Sequence, residues 1–327
     1  MKKVLVIGGA GYIGGFLTDL LMEKDYEVAV YDSLLFEDRF LKDVNFISGD
    51  IRDRAKLSGI MHNYDTIVWL AAVVGDAACA VNEQLTESVN YESIKWLVDS
   101  YKGKIVFAST CSVYGINNDL LDEESSTNPL SLYAETKLQA EKYIIENYDN
   151  YLIFRLGTLF GIGDFSSRLR LDLVVNILTM RAAQGDVLPV FGGDQWRPLL
   201  HVRDVGHAIE HGIENKITGL YNLSYKNYRI KDIAVEISRI IGNVEIKYTD
   251  LKYEDLRNYR IKDCKYSETG WSPTLDLVSG VREISRVIKE KRIKNTENVL
   301  YSNAKYMEAL NDLRHGVWNL EDEITRV

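Results

Sequence analysis

A doubly wound α/β fold, with a parallel sheet and a smaller mixed α/β unit after it, is predicted by three observations. Short apolar runs alternate with helical patterns from Val4 to Arg155. The first run breaks into a turn carrying Gly8, Gly11 and Gly14, and an amphipathic segment through Leu17, Leu20 and Leu21 follows it. Successive runs then end in small, acidic or hydroxyl-bearing residues, at the place where such sheets hold ligands.

The first strand is Val4-Leu5-Val6-Ile7, and Gly8 to Gly14, with Tyr12 and Ile13 between them, forms a strand-turn-helix junction. Glycines there permit a tight turn and let the backbone approach a pyrophosphate, whose charge sits at the positive end of the helix. The second strand, Glu27-Val28-Ala29-Val30-Tyr31, ends in Asp32. A carboxylate at that point accepts from ribose hydroxyls and repels a 2′-phosphate, so NAD rather than NADP is expected. The third, Phe46-Ile47-Ser48, leads to Asp50 and Ile51. Asp50 is suited either to an adenine amine or to the N-cap of a helix around residues 55–60. A fourth, Thr66-Ile67-Val68-Trp69, runs into Leu70, Ala71, Ala72, Val73, Val74 and Gly75, small residues that leave room for a cofactor against the backbone.

The fifth run, Lys104-Ile105-Val106-Phe107-Ala108, opens into Ser109-Thr110-Cys111-Ser112, and the next helical segment carries Tyr133 and Lys137. One helical turn places those two side chains on the same face. A phenol titrates near pH ~10, and an adjacent ammonium lets it accept a proton at neutral pH. Tyr91/Lys95, Tyr248/Lys252 and Tyr301/Lys305 repeat the spacing, but only Tyr133 follows a hydroxyl-bearing strand end. Dehydrogenase chemistry by Thr110, Tyr133 and Lys137 is the expectation. Residues 151–155 read as a sixth strand, closing a cofactor-binding domain at 1–164. From 165 to 327 the pattern loosens into a substrate domain, and 287–327 is charged and helical with no legible chemistry.

With 327 residues the chain can bury a large core, and 46% hydrophobic against 27% charged residues marks it as globular rather than disordered. A net charge of −9 argues against nucleic acid or an anionic membrane as partner. Cys79, Cys111 and Cys264 are scattered and His is scarce, so neither a disulfide framework nor a metal site is indicated. Met1-Lys2-Lys3 before an apolar run imitates a leader, yet its glycines fall as a nucleotide turn and no run reaches the ~18 apolar residues of a membrane span. A cytoplasmic protein is expected.

Together these elements resemble the extended short-chain dehydrogenase/reductase family, in particular its nucleotide-sugar epimerases, dehydratases and dehydrogenases. The resemblance implies a Rossmann cofactor domain, with Gly8, Gly11 and Gly14 as the cofactor turn, Asp32 on the ribose, and Asp50 and Ile51 at the adenine. Ala108 and Leu156 would line the nicotinamide pocket, with Thr110, Tyr133 and Lys137 as the catalytic set. Thr158, Val74 and Asp172 would face the substrate. Arg197, in Gly193-Asp194-Gln195-Trp196-Arg197-Pro198, and Arg257 would grip a nucleotide diphosphate, whose oxygens suit forked guanidinium donors. Asp172 stands where relatives carry Asn or Glu, and Cys111-Ser112 stand where sugar dehydratases carry Asp-Glu, so elimination lacks its usual carboxylates. Cys111 falls one position early for the cysteine of C3/C5 epimerases, and His201 reads as a core residue. What remains is redox at C4: a 4-dehydrogenase, or alternatively a 4-epimerase, with a non-catalytic dinucleotide sensor as the third reading. Residues 73–79 and 168–172 look most like relatives that oxidise GDP-activated heptoses in bacterial capsule assembly. The family also implies a homodimer or larger homo-oligomer, paired through two long helices, here residues 82–102 and 131–147.

Overall fold

Period-two patterning builds the main sheet: Val4 and Val6 face one core cluster and Leu5 and Ile7 the other, so the first strand is buried on both sides. The structure, a computed structural model, describes residues 2–37, 40–249, 257–262 and 264–314. Its seven-stranded sheet is parallel throughout, in the order Gly219–Leu223, Tyr151–Leu156, Lys104–Thr110, Thr66–Trp69, Lys3–Ile7, Glu27–Asp32, Asn45–Ser48. The chain winds outward from Lys3–Ile7 to one edge, then returns to build the other side from Thr66–Trp69. That reversal opens a crevice at the carboxyl ends of the two central strands.

Helices Gly14–Glu23 and Val202–Glu214 cover one face through Leu17, Leu21, Val205 and Ile209. Arg54–Met61, Ser93–Ser100 and Leu132–Asn147 cover the other through Leu57, Ile94, Leu97, Ala140 and Ile144. The smaller unit packs Val174–Gln184, Ile230–Ile241 and Leu277–Lys289 around Val190, Leu199, Ile233 and Val281, beside a three-stranded sheet of Lys226–Arg229, Trp196–His201 and Thr158–Phe160.

The chain does not divide cleanly at residue 164. Strand Gly219–Leu223 extends the large sheet and helix Val202–Glu214 packs on Gly14–Glu23, while Ile116–Leu121 pairs with Asn258–Ile261 of the smaller unit. A helix cap is also corrected: Asp53, not Asp50, caps Arg54–Met61 by accepting from Lys56 N at 3.1 Å. The segment expected as one long helix over 82–102 carries a π turn at Ser88–Glu92. Buried Asn90 in that turn accepts from Val73 N at 2.9 Å and donates to Val73 O at 3.0 Å, which fixes the loop at the end of Thr66–Trp69. Among the described residues no helix is long and apolar enough to cross a membrane, and no group of three or more His, Cys, Asp or Glu could hold a metal ion.

Candidate active site

The crevice is one cavity of about 1380 Å³ running between the two units. At its sheet end lies the glycine turn. Gly8 has φ +83°, and a Cβ there would meet Ala71 N at 2.5 Å, so turn and neighbouring strand end touch backbone to backbone. A Cβ on Gly14 would strike Gly9 Cα at 2.5 Å, whereas at Gly11 its nearest neighbour is Gly8 O at 3.4 Å. Gly8 and Gly14 therefore close the turn, and Gly11 keeps its outer face clear for a ligand. Asp32 accepts from Ala10 N at 3.0 Å and Leu34 N at 2.8 Å, and burial pushes its carboxyl above the ordinary value against the pull of those donors. A glycine cradle at a helix N-terminus with a carboxylate at the next strand end fits a dinucleotide carrying an unphosphorylated ribose. Asp50 is paired with Arg52 at 2.5 Å, which holds its carboxyl below the usual range, and both line the cavity.

At the middle of the cavity stand Thr110, Tyr133 and Lys137. Ser131 starts the helix that carries the last two, its hydroxyl accepting from Ala134 N at 3.3 Å. Burial pushes the Tyr133 phenol up; Cys79 and Asp76 add to that, while the Arg170 guanidinium and a hydrogen bond with Thr110 pull it down. Lys137 was expected to supply that pull. Its ammonium donates to Ala108 O at 2.9 Å and lies over the Phe107 ring at 4.6 Å, with burial lowering its pKa to about 8, so the pull it adds lasts only while it stays charged. Behind them, buried Glu141, one turn further along the helix, accepts from Ser109 Oγ and from Arg155 Nη2 at 2.8 Å, tying helix to strand ends.

At the far end Arg197 donates to Trp196 O at 2.8 Å and stacks 5.7 Å from the Tyr259 ring; Arg257 donates to Ser112 Oγ at 3.2 Å and pairs with Asp76 at 3.2 Å. Of the sequence around Arg257, Asp255 and Leu256 lie outside the described residues. Asp172, bidentate to Arg170 at 3.0 Å, also faces the cavity.

The structure brings every expected site residue to this one cavity: Gly8, Gly11, Tyr12, Ile13, Gly14, Asp32, Asp50, Ile51, Leu70, Ala71, Ala72 and Ala108 with Leu156, and Val74, Thr158, Asp172, Arg197 and Arg257 with the catalytic set. Cys111 does not line it, being fully buried with its thiol against Arg155 O at 3.3 Å. His201 is a core residue, bonded to Glu283 at 2.7 Å. Of the other Tyr/Lys pairs, Lys95 lies over Tyr143 and Lys305 pairs with Glu297; Lys252 is outside the described residues. Sequence reasoning missed Glu37, Arg170, Ser302 and Asn303, which also line the cavity. Ser302 and Asn303 belong to 287–327, where the sequence shows no legible chemistry, and 315–327 lie outside the described residues. Asn303 stands in a charged helical stretch with no motif around it, so no local signal marked it.

The family described as NAD dependent epimerase/dehydratase matches residues 4–224. A UDP-glucose 4-epimerase of Halalkalibacterium halodurans is 31% identical over 270 residues, 73% of this chain and 80% of its own. One of Lactobacillus helveticus is 27% identical over 285 residues, 76% of this chain and 84% of its own. The crystal structure of a UDP-glucose 4-epimerase from Thermotoga maritima with UDP-glucose has the same fold, with TM-score 0.76 at 23% identity over 89% of this chain and 99% of that one.

Proposed function

This chain belongs to the NAD dependent epimerase/dehydratase family, an enzyme family, and from that premise we propose that it is a nucleotide-sugar 4-epimerase. The observation that carries the reading is the single cavity in which Thr110, Tyr133 and Lys137 stand between the glycine cradle and the two arginines Arg197 and Arg257. NAD, bound on the cradle through Gly8 to Gly14 and Asp32, supplies the acceptor and donor for the hydrogen on the sugar carbon. Tyr133 takes the hydroxyl proton and later returns it, Thr110 holds the substrate oxygen beside it, and the charge on Lys137 favours the phenolate. Arg197 and Arg257 hold the diphosphate, so the sugar can turn while its anchor stays fixed.

Dehydration is disfavoured by the state of the carboxylates. Asp32 is bonded to backbone N–H groups, Glu37 to Arg168 N, Asp50 to Arg52, Asp76 to Arg257 and Asp172 to Arg170. A net 4-dehydrogenase acting on a GDP-heptose in surface polysaccharide assembly, which residues 73–79 and 168–172 favour on sequence, shares the first half-reaction and differs in releasing the keto sugar. The named relatives are 4-epimerases, and this moves the reading to that alternative. A homodimer in the cytoplasm completes the proposal.

Purified protein incubated with NAD and UDP- or GDP-linked hexoses and heptoses should interconvert C4 epimers without accumulating NADH, read by NMR. A 4-keto product with stoichiometric NADH would establish the dehydrogenase, and no change at C4 on any nucleotide sugar would overturn both. Arg197→Ala should raise KM by roughly tenfold or more while changing kcat little, since the diphosphate contact is present in ground and transition states alike. On the cofactor side, calorimetry should find NAD bound much more tightly than NADP, and Asp32→Ala should lower NAD affinity by about 1–3 kcal/mol. Equal affinities for the two dinucleotides would remove Asp32 from that role.

A further inference from the structure

The C-terminal segment, beyond the span matched by the family, reaches back to line the cavity. A short turn at Val299–Tyr301 leads into helix Asn303–Arg314. Asn303 is 3% exposed and ties three places together. Its backbone N donates to Asp172 Oδ2 at 2.9 Å, its Nδ2 donates to Val74 O at 2.9 Å, and its Oδ1 accepts from Arg168 Nη2. Two further bonds fasten the turn before it: Arg168 Nη1 donates to Leu300 O at 2.6 Å, and Leu171 N to Tyr301 O at 2.9 Å. Behind Asn303, buried Met307 packs with Val73, Ala78 and Cys79, a cluster that Tyr133 also touches.

The group that the Asn303 backbone N–H holds is the Arg170–Asp172 pair. Two parallel hydrogen bonds of 3.0 Å fix the guanidinium against the carboxylate, and Arg170 is close enough to Tyr133 to draw its phenol down. Such a pair has no net charge but offers donors and acceptors side by side. That pattern matches vicinal hydroxyls, which both donate and accept, better than a sugar carboxylate, which only accepts and would meet the Asp172 charge.

We propose that Asn303 is a positioning residue whose side chain, anchored on Val74 O and Arg168, fixes the backbone N–H that holds Asp172, so keeping the Arg170–Asp172 pair beside Tyr133, and that this pair selects neutral, hydroxyl-bearing sugars over uronates. The inference rests on the reading of the cavity as a nucleotide-sugar site. It makes the C-terminal segment a wall of the active site, so that the family's cofactor turn and catalytic set are completed by residues outside the matched span.

The test uses the full chain. Steady-state rates are measured for wild type and Asn303→Ala on a neutral nucleotide sugar and on the uronate carried by the same nucleotide, with NAD and bare nucleoside diphosphate affinities taken by calorimetry. Wild type should favour the neutral sugar by roughly a hundredfold in kcat/KM, the upper end of the cost of leaving one buried polar group unsatisfied. Asn303→Ala keeps the N–H but loses the side-chain anchors that fix it, and should lower kcat/KM on the neutral sugar by about 10–100-fold, as expected for a displaced reacting geometry, and shrink the preference to below about tenfold. NAD and nucleoside diphosphate should bind within about twofold of wild type, because their anchors lie elsewhere in the cavity. Equal loss on both sugars, with an accompanying fall in Tm, would reduce Asn303 to a structural role and overturn the proposal. So would a variant that retains the wild-type rate and preference. If wild type turned over no nucleotide sugar, the proposed function itself would fall, and this inference with it.

Discussion

Tyr133→Phe is expected to lower turnover by a factor of about 10² or more, the scale of a lost general base, while leaving NAD affinity unchanged. The phenol lines the cavity with Thr110, whose hydroxyl draws it down, and burial opposes its ionisation. Its conjugate base is therefore costly, and the groups that draw it down decide the rate. Arg170 and Thr110 do so directly. Lys137 contributes only while charged, and burial has lowered its pKa to about 8, so neutral pH leaves a narrow margin. Wild-type kcat should accordingly fall as pH rises through about 8, whereas the small residual rate of Tyr133→Phe should lack that limb. The same depression sets a stability trend. Charged Lys137 costs stability at every pH below about 8, and the cost fades as pH rises toward the ordinary lysine value. Cys111→Ala should keep most activity, because the thiol faces Arg155 O rather than the cavity. A Tyr133→Phe variant with near wild-type turnover, or an inactive Cys111→Ala, would assign the proton to the wrong group.

Much of this site is written locally. The Gly8 turn, Asp32, the small residues at 70–72, Thr110 and the Tyr133/Lys137 pair each follow an apolar run of strand length. In a parallel sheet, strand ends converge on one edge whatever the rest of the fold does. Other features depend on contacts that no window of sequence contains. Strand Gly219–Leu223 joins the large sheet after more than sixty intervening residues, because its partner Tyr151–Leu156 leaves an edge to be covered. Asp50 and Asp53 are both plausible caps by type, and only the placement of Arg52 decides between them. The partner of Lys137 is Ala108 O, a carbonyl that a side-chain pattern does not display. Asn303 is reached only by a chain that folds back over 131 positions to Asp172.

The largest stability effect is expected from the buried pair beneath the catalytic helix. Glu141 is 0% exposed and Arg155 5%, and they meet through two donors at 2.8 and 3.0 Å on one carboxylate oxygen. Burial alone would lower the Arg155 pKa, but Glu141 and Tyr114 raise it, so the guanidinium is charged inside the protein. Glu141→Leu would leave that charge without its carboxylate, at a cost of about 3–5 kcal/mol by chemical denaturation. Glu141→Leu with Arg155→Met should lose far less than the two single variants added together, since each partner's removal eliminates the charge the other must answer. Additive losses would show that the pair is not coupled. The double variant also separates stability from chemistry. Glu141 sits one turn beyond Lys137 and holds the helix to Ser109, next to Thr110, so removing the pair frees the register between the strand end and the helix. A folded double variant should therefore show reduced kcat with an unchanged KM, because the diphosphate anchors Arg197 and Arg257 lie outside the network while Thr110, Tyr133 and Lys137 depend on it.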